Sequence, residues 1–195
     1  MAAPARLLLA STSPYRRELL ARLCLPFETV SPEVDEAAGA DEAPADLVRR
    51  LSQAKARAGA RRQPASLVIG SDQVAVIGDE ILGKPDTHAA AHAQLSRLSG
   101  EVVTFLTGLA LYNDASGRMQ SDVVPFRVHF RTLTASQIEH YLEREQPYDC
   151  AGSFKSEGLG IALFERMEGD DPTALIGLPL IRLVKMLEKE GLAVL

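Results

Sequence analysis

Hydroxyl and guanidinium side chains are concentrated near the start of the chain, in residues 11–18, Ser-Thr-Ser-Pro-Tyr-Arg-Arg-Glu. An apolar run precedes them and leucines at helical spacing follow, so the segment is predicted to be a turn between a buried strand and a helix. The free N–H groups at a helix start carry partial positive charge. Ser11, Ser13, Arg16 and Arg17 would then seat an anion such as a chain of phosphates. The alternative is a serine helix cap beside solvent-exposed arginines.

Carboxylates occur at two places where they could bind a metal ion or act on a water molecule. Asp72 follows an apolar strand, residues 66–70, and is a candidate general base or metal ligand. Glu33, Asp35 and Glu36 lie in an acidic loop and offer the oxygen ligands that Mg²⁺ favours. The structural alternatives are a turn-capping aspartate and a solvated run of charge.

Two lysines and one glycine-rich segment are further candidates for contact with phosphate. Lys84 lies in the constrained turn Gly-Lys-Pro (83–85), and Lys55 lies in a helical pattern whose polar side would also suit it. The glycines of residues 152–160 permit close backbone approach to a ligand, and the segment carries Lys155 and Glu157. An ordinary mobile loop is the alternative there, and no Walker motif occurs in the chain.

The elements that must position these residues alternate between helix and strand. Apolar spacing predicts helices over residues 14–24, 46–58, 87–99, 134–145 and 179–190, with Gly59 ending the second of them. Thr134-Ala-Ser-Gln137 resembles a capping box at the start of the fourth helix. Strands are predicted over residues 6–10, 27–31, 66–70, 101–111 and 122–132, and a hairpin over 74–82 that turns at Gly78 and Asp79. This mixture predicts an α/β fold in which helices flank a mixed twisted sheet, with a cleft between two lobes.

Length and composition favour a globular protein of one domain, residues 1–195, or of two packed lobes. The formal charge of -5 argues against broad binding to nucleic acid or to an anionic membrane. The apolar run at residues 7–10 is too short for a signal peptide or a membrane span. Cys24 is expected to be a core thiol, Cys150 lies near a glycine-rich segment, and a reducing cytoplasm fits two unpaired cysteines.

Several short motifs, taken in order along nearly the whole chain, resemble those of the Maf family of nucleotide pyrophosphatases. They are Ala-Ser-Thr-Ser-Pro-Tyr-Arg-Arg (10–17), Pro-Glu-Val-Asp-Glu (32–36), the Lys55 helix, Gly-Ser-Asp-Gln (70–73), Gly-Lys-Pro (83–85), Leu-Ser-Gly (98–100) and Gly-Leu-Pro-Leu (177–180). Gly-Ser-Asp-Gln and Ala-Gly-Ser-Phe-Lys-Ser-Glu-Gly (151–158) look like the subgroup that acts on 7-methyl-GTP. Subgroups acting on dTTP and UTP typically carry Gly-Ala-Asp-Thr and Ala-Gly-Ala-Tyr-Gly-Ile-Gln-Gly at these places.

The resemblance implies hydrolysis of a nucleoside triphosphate between its α and β phosphates, with Mg²⁺ or Mn²⁺ as cofactor. It also implies a two-lobed, ITPase-like fold around a nucleotide-binding cleft, a homodimer, and a house-cleaning role in the cytoplasm. The family's proton acceptor falls on Asp72, its loop carboxylate on Glu36, its phosphate contacts on Ser11, Arg16, Lys55 and Lys84, and its base-selecting positions on Tyr15, Gln73 and Glu157. Asp72 and Glu36 are also the candidate metal ligands.

The chemistry of 7-methylguanine suits this assignment, because N7-methylation makes the base cationic. The Tyr15 ring could stack on it, and Glu157 could accept hydrogen bonds from the guanine N1–H and amino group. Two other functions stay open: a nucleotide-binding regulator of cell division with little turnover, and a phosphomonoester hydrolase that releases orthophosphate.

Overall fold

The computed structural model describes residues 6–78 and 80–195, so Asp79, half of the predicted hairpin turn, lies outside the described residues. The strands are β1 Arg6–Ala10, β2 Phe27–Val30, β3 Ser66–Ile77, β4 Glu80–Leu82, β5 Val102–Asn113, β6 Arg118–Phe130 and β7 Phe164–Glu168. The helices are α1 Pro14–Ala21, α2 Pro44–Arg62, α3 His88–Leu98, α4 Ala135–Glu145, α5 Pro172–Ile176 and α6 Leu180–Lys189. Short 3₁₀ turns cover Ala151–Ser153 and Leu159–Leu163.

Within the described residues the strands form one seven-stranded sheet in the order β2-β1-β3-β5-β6-β7, with β4 paired to β3. β1 runs parallel to both β2 and β3, while the β3–β4 and β6–β7 pairs are antiparallel. Helices and strands therefore build the mixed α/β sheet that the sequence predicts.

The chain divides into two compact units. Of the described residues, the first comprises 6–73, 107–124 and 171–195, and the second comprises 74–78, 80–106 and 125–170. Strands β3, β5 and β6 each contribute residues to both units. The predicted nucleotide-binding cleft between two lobes and the assignment of residues 1–195 to a single domain both stay predictions.

The first unit is built around leucines of β1, α1, β3, β5 and α6, of which Leu9, Leu20 and Leu183 are fully buried. Helix α2 packs very closely on β3. A Cβ atom at Gly70 would lie 2.1 Å from the Ser52 carbonyl oxygen, and one at Gly59 would lie 2.8 Å from a methyl carbon of Val68. Glycine therefore lets the helix backbone approach the sheet.

The second unit has an aromatic core. Phe105, Phe130, Phe154 and Phe164 meet edge to face, with ring centroids 4.9–5.4 Å apart. This is the geometry that aromatic quadrupoles favour. The capping box predicted for α4 is present, since Thr134 accepts a hydrogen bond from the Gln137 N–H and donates its own N–H to the Gln137 side chain.

Several predicted boundaries were wrong. Gly59 does not end α2, which continues to Arg62, because the glycine serves close packing and not a cap. Strand β3 does not stop at Gly70 but continues through Asp72 to Ile77. Strand β7 was not predicted, since Phe164 is its one buried residue and its sequence lacks an apolar pattern.

The environment predicted for Cys24 was also wrong. Its thiol is exposed because the residue follows the end of α1 in a left-handed conformation, with φ of 55°. Cys24 and Cys150 are both free thiols. In residues 6–78 and 80–195, no helix combines the length and the apolar character needed to cross a membrane.

Candidate active site

Lys55 lies between two carboxylates in the first unit. Its ammonium nitrogen is 2.6 Å from Oδ1 of Asp72 and 2.7 Å from Oε1 of Glu36. Only 7% of the Lys55 side chain and 11% of the Asp72 side chain are exposed, whereas 62% of the Glu36 side chain is. The sequence-based alternative for Lys55, a solvated helix face, is therefore wrong, and three predicted site residues meet at one point.

The fold brings these residues together through the close contact between α2 and β3. Lys55 stands between Ser52 and Ala56, the two α2 residues whose backbone atoms would touch a Cβ atom at Gly70. Asp72 is two residues further along β3, so the lysine side chain reaches it over a short distance. A bulkier residue at position 70 would push the helix away and separate the ion pair.

The loop that carries Glu36 is fastened to the same helix. Arg50 of α2 donates a hydrogen bond to the Ala37 carbonyl oxygen and pairs with the Glu42 carboxylate at 2.7 Å. The hydrogen bond from Arg50 holds the pKa of Glu42 at about 2, well below its ordinary value. Arg50 thereby fastens the acidic loop to α2 at two points that follow Glu36 in the chain, Ala37 and Glu42.

The other acidic residues of this loop do not join Asp72. Glu33 pairs with Arg62 at 2.7 Å, and an Asp35 oxygen accepts a hydrogen bond from the Ala37 N–H at 3.0 Å. Both residues are exposed, which fits the solvated run of charge that the sequence left open. Only Glu36 reaches the buried lysine.

Arg16 of α1 is held by the turn that follows α5. Its Nε donates a hydrogen bond to the Gly177 carbonyl oxygen at 2.9 Å. Burial lowers the pKa of the Arg16 guanidinium, and the carboxylates of Asp72 and Glu36 act in the opposite direction by stabilising its charge. The predicted alternative of a solvent-exposed Arg16 is therefore wrong, while Arg17 is exposed.

The start of α1 borders a pocket of about 310 Å³ in the first unit. Its lining is rich in hydroxyl groups and consists of Ser11, Thr12, Ser13, Pro14, Arg17, Thr29, Val30 and Ser31. Ser13 is the helix cap and accepts a hydrogen bond from the Arg16 N–H, while the buried Ser11 accepts one from the Ser13 N–H.

Parallel pairing explains why the pocket lies at this edge. Ala10, the last residue of β1, pairs with Val30 at the end of β2 and with Gly70 in the middle of β3. The residues that follow β1 and β2 therefore meet beside the middle of β3. Ligands of open α/β sheets bind outside the carboxyl ends of the strands.

Gln73 has internal partners. Its amide nitrogen donates to the Ala174 carbonyl oxygen at 2.8 Å and to the Thr107 hydroxyl at 2.9 Å. Ser71 likewise donates to the Gly177 carbonyl oxygen at 2.9 Å. These bonds fasten both neighbours of Asp72 to the α5 turn. Whether Gln73 also selects a base stays a prediction.

Asp171 was not selected from the sequence, yet it organises this turn. The residue is buried, and its two carboxylate oxygens accept hydrogen bonds from the Thr173 N–H and from the Ile181 N–H. It thus caps the start of α5 and ties that start to α6. The dipeptide Asp171-Pro172 is the available signal, because an acidic cap before a first-turn proline is typical of a helix start.

Comparison with known proteins shows the family to which the chain belongs. The family model described as Maf-like protein matches residues 6–190. The chain belongs to the Maf family. It is 61% identical over 188 residues to the 7-methyl-GTP pyrophosphatase of Pseudomonas aeruginosa, covering 96% of this chain and 98% of that protein. It is 58% identical over 193 residues to the 7-methyl-GTP pyrophosphatase of Nitrosococcus oceani, covering 99% and 97%.

Four further residues are predicted to contact the substrate. Tyr15 lies on α1 with its ring partly exposed. Lys84, Lys155 and Glu157 belong to the second unit, where Lys84 and Glu157 are exposed and the Lys155 ammonium lies 4.0 Å from an Asp149 oxygen. Their roles in a Maf protein's site stay predictions.

Asp72 and Glu36 form a donor set that fits a divalent cation. In the described part of the chain, no group of three or more His, Cys, Asp or Glu side chains converges. Two carboxylates that face one cationic group are compatible with Mg²⁺, which is commonly bound by one or two carboxylates together with substrate phosphates, and the binding of the ion here stays a prediction.

Proposed function

We propose that this chain is a nucleoside triphosphate pyrophosphatase that hydrolyses 7-methyl-GTP to 7-methyl-GMP and pyrophosphate. The observation that carries the proposal is the enclosed Lys55 between Asp72 and Glu36, beside the half-buried Arg16. Full-length relatives at about 60% identity bear this activity in their names, which supports the substrate.

Asp72 is the proposed proton acceptor. Its carboxylate is almost enclosed and its ion pair with Lys55 fixes its orientation, so one oxygen can orient a water molecule and accept its proton as the water attacks phosphorus. Ser71 and Gln73, both hydrogen-bonded to the α5 turn, hold the strand backbone around it. The attack breaks the α–β phosphoanhydride, and the bond electrons leave with pyrophosphate.

Lys55 and Arg16 are proposed to stabilise the charge that moves onto the leaving pyrophosphate. The exposed Arg17 and the hydroxyl-lined pocket at the start of α1 would seat phosphate oxygens. Lys55, Arg16, Asp72 and Glu36 together are formally neutral, so they do not by themselves balance a triphosphate. A further cation that accompanies the substrate would supply additional positive charge.

We therefore propose dependence on Mg²⁺ or Mn²⁺, with Asp72 and Glu36 as the protein ligands. Such an ion supplies charge neutralisation at the phosphates and a template for their orientation. The hydrogen bonds of Arg50 on the acidic loop would keep Glu36 in place for this role.

The setting of the activity is also part of the proposal. We infer a cytoplasmic homodimer that acts on free nucleotides and not on nucleic acid, in agreement with the formal charge of -5 and with two free thiols. A house-cleaning role against modified nucleotides follows from the substrate.

The test is hydrolysis of a panel of canonical and N7-methylated nucleoside triphosphates with Mg²⁺, in which pyrophosphate and orthophosphate are measured separately. The expected result is pyrophosphate release from 7-methyl-GTP well above all others, abolished by Asp72→Ala and by chelation of the metal. Orthophosphate as the product would instead indicate a phosphomonoester hydrolase. Tight nucleotide binding without turnover would indicate the regulator of cell division.

A further inference from the structure

The second unit has a pocket of its own, of about 180 Å³. We refer to it as the basic pocket. It is lined by Arg131, Leu133, Gln137, His140, Tyr141, Arg144, Leu159, Ala162 and Leu163. None of these residues belongs to the predicted catalytic or substrate-binding set, so a ligand in this pocket would be independent of the proposed function.

The lining contains two arginines and one histidine, and no acidic residue is among its members. Among the described residues, no carboxylate lies within 4.0 Å of a guanidinium nitrogen of Arg131 or Arg144, although ion pairs are frequent elsewhere on the surface. One N–H of Arg131 donates to the Ala162 carbonyl oxygen at 3.0 Å, which fixes the guanidinium and leaves its other donors available. The two arginines are therefore not paired with a carboxylate and can accept an external anion.

Helix α4 presents further hydrogen-bond donors on the same face. Gln137, His140, Tyr141 and Arg144 have the i, i+3, i+4, i+7 spacing of one helical stripe. The side-chain oxygen of Gln137 already accepts the Thr134 N–H, so the side-chain NH₂ group of Gln137 is left for a ligand. Burial raises the pKa of Tyr141, and its hydroxyl accepts the Lys155 N–H, so its proton is also free to be donated.

The rest of the lining is apolar, and backbone hydrogen bonds hold it in place. The Glu145 carboxylate accepts the Leu159 N–H at 2.8 Å, and the Arg131 N–H donates to the Leu163 carbonyl oxygen at 2.9 Å. The carboxylates of Glu145 and Glu157 both act on the Tyr141 hydroxyl, so the attraction for an anion must come from the two arginines. Leu133, Leu159 and Leu163 complete a surface suited to a small apolar group.

We propose that the basic pocket is a binding site for an organic phosphate, a small molecule that carries a phosphate group on an apolar or aromatic body. Arg131 and Arg144 would bind the phosphate oxygens, because planar guanidinium groups match their geometry. Gln137 and Tyr141 would donate further hydrogen bonds, and the leucines would contact the organic part.

The test uses two probes, inorganic phosphate and phenyl phosphate, titrated into the ¹⁵N-labelled protein while the amide resonances of α4 and of Leu159–Leu163 are followed. We expect saturable shifts in both segments, with dissociation constants of about 1 mM or below. Phenyl phosphate should bind several-fold more tightly than phosphate, since its ring removes apolar surface from water. Equal affinity for the two probes would overturn the assignment of the leucine wall.

Variants assign the shifts to the pocket. Arg131→Gln and Arg144→Gln should each weaken binding about tenfold, and Arg144→Lys should weaken it less. Arg127→Gln is the matched control, because Arg127 is an exposed arginine of the same unit that already pairs with Glu168 at 3.3 Å. An absence of saturation at about 10 mM of either probe, or shifts that survive both glutamine variants, would overturn the proposal.

Discussion

In the first unit, Lys55 is enclosed and has two carboxylates within hydrogen-bonding distance, whereas in the second unit Arg131 and Arg144 border an open pocket without a carboxylate partner. Removing a charge from water is expensive unless an opposite charge meets it, so the buried lysine depends on Asp72. The exposed arginines keep their hydration and need no partner. The two regions therefore hold positive charge for different reasons.

This contrast separates stability from ligand binding. A buried cation that is paired with carboxylates stabilises the fold. A substrate that approaches it meets a cluster that is nearly neutral as a whole. A cation at an exposed pocket contributes little to the fold, and an external anion can neutralise it. Substitutions in the two regions should accordingly affect different measurements.

The largest expected effect is on catalysis in the first unit. Asp72→Asn keeps the shape of the side chain but removes the proton acceptor, so pyrophosphate release should fall by a factor of about 10² to 10⁴. Asp46→Asn is the matched control, since Asp46 is an exposed carboxylate of the same unit whose partner is Arg49. An Asp72→Asn protein that remains folded and retains more than about one tenth of the activity would contradict the role of Asp72.

The next effect is on stability. Lys55→Met leaves Asp72 enclosed without its counter-ion, and we expect the free energy of unfolding in urea to fall by about 3 kcal/mol. Arg144→Met in the second unit should change it by less than about 0.5 kcal/mol.

A second substitution tests whether the uncompensated charge of Asp72 causes the loss of stability. Adding Asp72→Asn to Lys55→Met removes the uncompensated charge, so the double variant should recover part of the lost stability. If the two substitutions destabilised additively, the ion pair would not be the reason for the loss.

The sequence predicts those parts of this site that depend on neighbouring residues, but not those that depend on contacts between distant segments of the chain. Ser13 as a helix cap and Thr134 as the start of a capping box were predicted because both depend on residues within one turn. The burial of Lys55 was not, because it results from the approach of α2 to Gly70, a contact between distant segments. Helical periodicity alone places that lysine on a polar face.

Gly59 and Cys24 show the same limit. A glycine near the end of a helical pattern is commonly a stop, but here it serves packing against Val68. An apolar neighbourhood in sequence suggested a buried thiol at Cys24, but the left-handed turn after α1 directs it outward. In both cases backbone geometry set by tertiary contacts overrides the local pattern.

The two free thiols provide a smaller test of the same difference between units. Cys24 of the first unit is exposed, whereas burial and the neighbouring Asp149 raise the pKa of Cys150 in the second unit to about 12. Because the thiolate is the reactive form, iodoacetamide at about pH 8 should alkylate Cys24 at least about tenfold faster than Cys150. Mass spectrometry of the labelled peptides measures both rates, and comparable rates would contradict the environment assigned to Cys150.

The smallest expected effect concerns the loop that carries Glu36. The pKa of Glu42 is about 2 in the folded protein against an ordinary value of 4.5, first because of its hydrogen bond with Arg50 and then because of that with the Gly39 N–H. A lowered folded-state pKa means that the contribution to stability is complete above the unfolded-state pKa and is lost as the pH falls from about 4.5 toward 2.

The difference in unfolding free energy between the wild type and Glu42→Gln should therefore shrink as the pH is lowered through this window. Arg50→Gln is the matched variant, because it removes the main cause of the shift while leaving the carboxylate in place. Its stability should depend less steeply on pH than that of the wild type over the same range. Parallel curves for all three proteins between about pH 5 and pH 2 would mean that Arg50 does not hold the loop through Glu42.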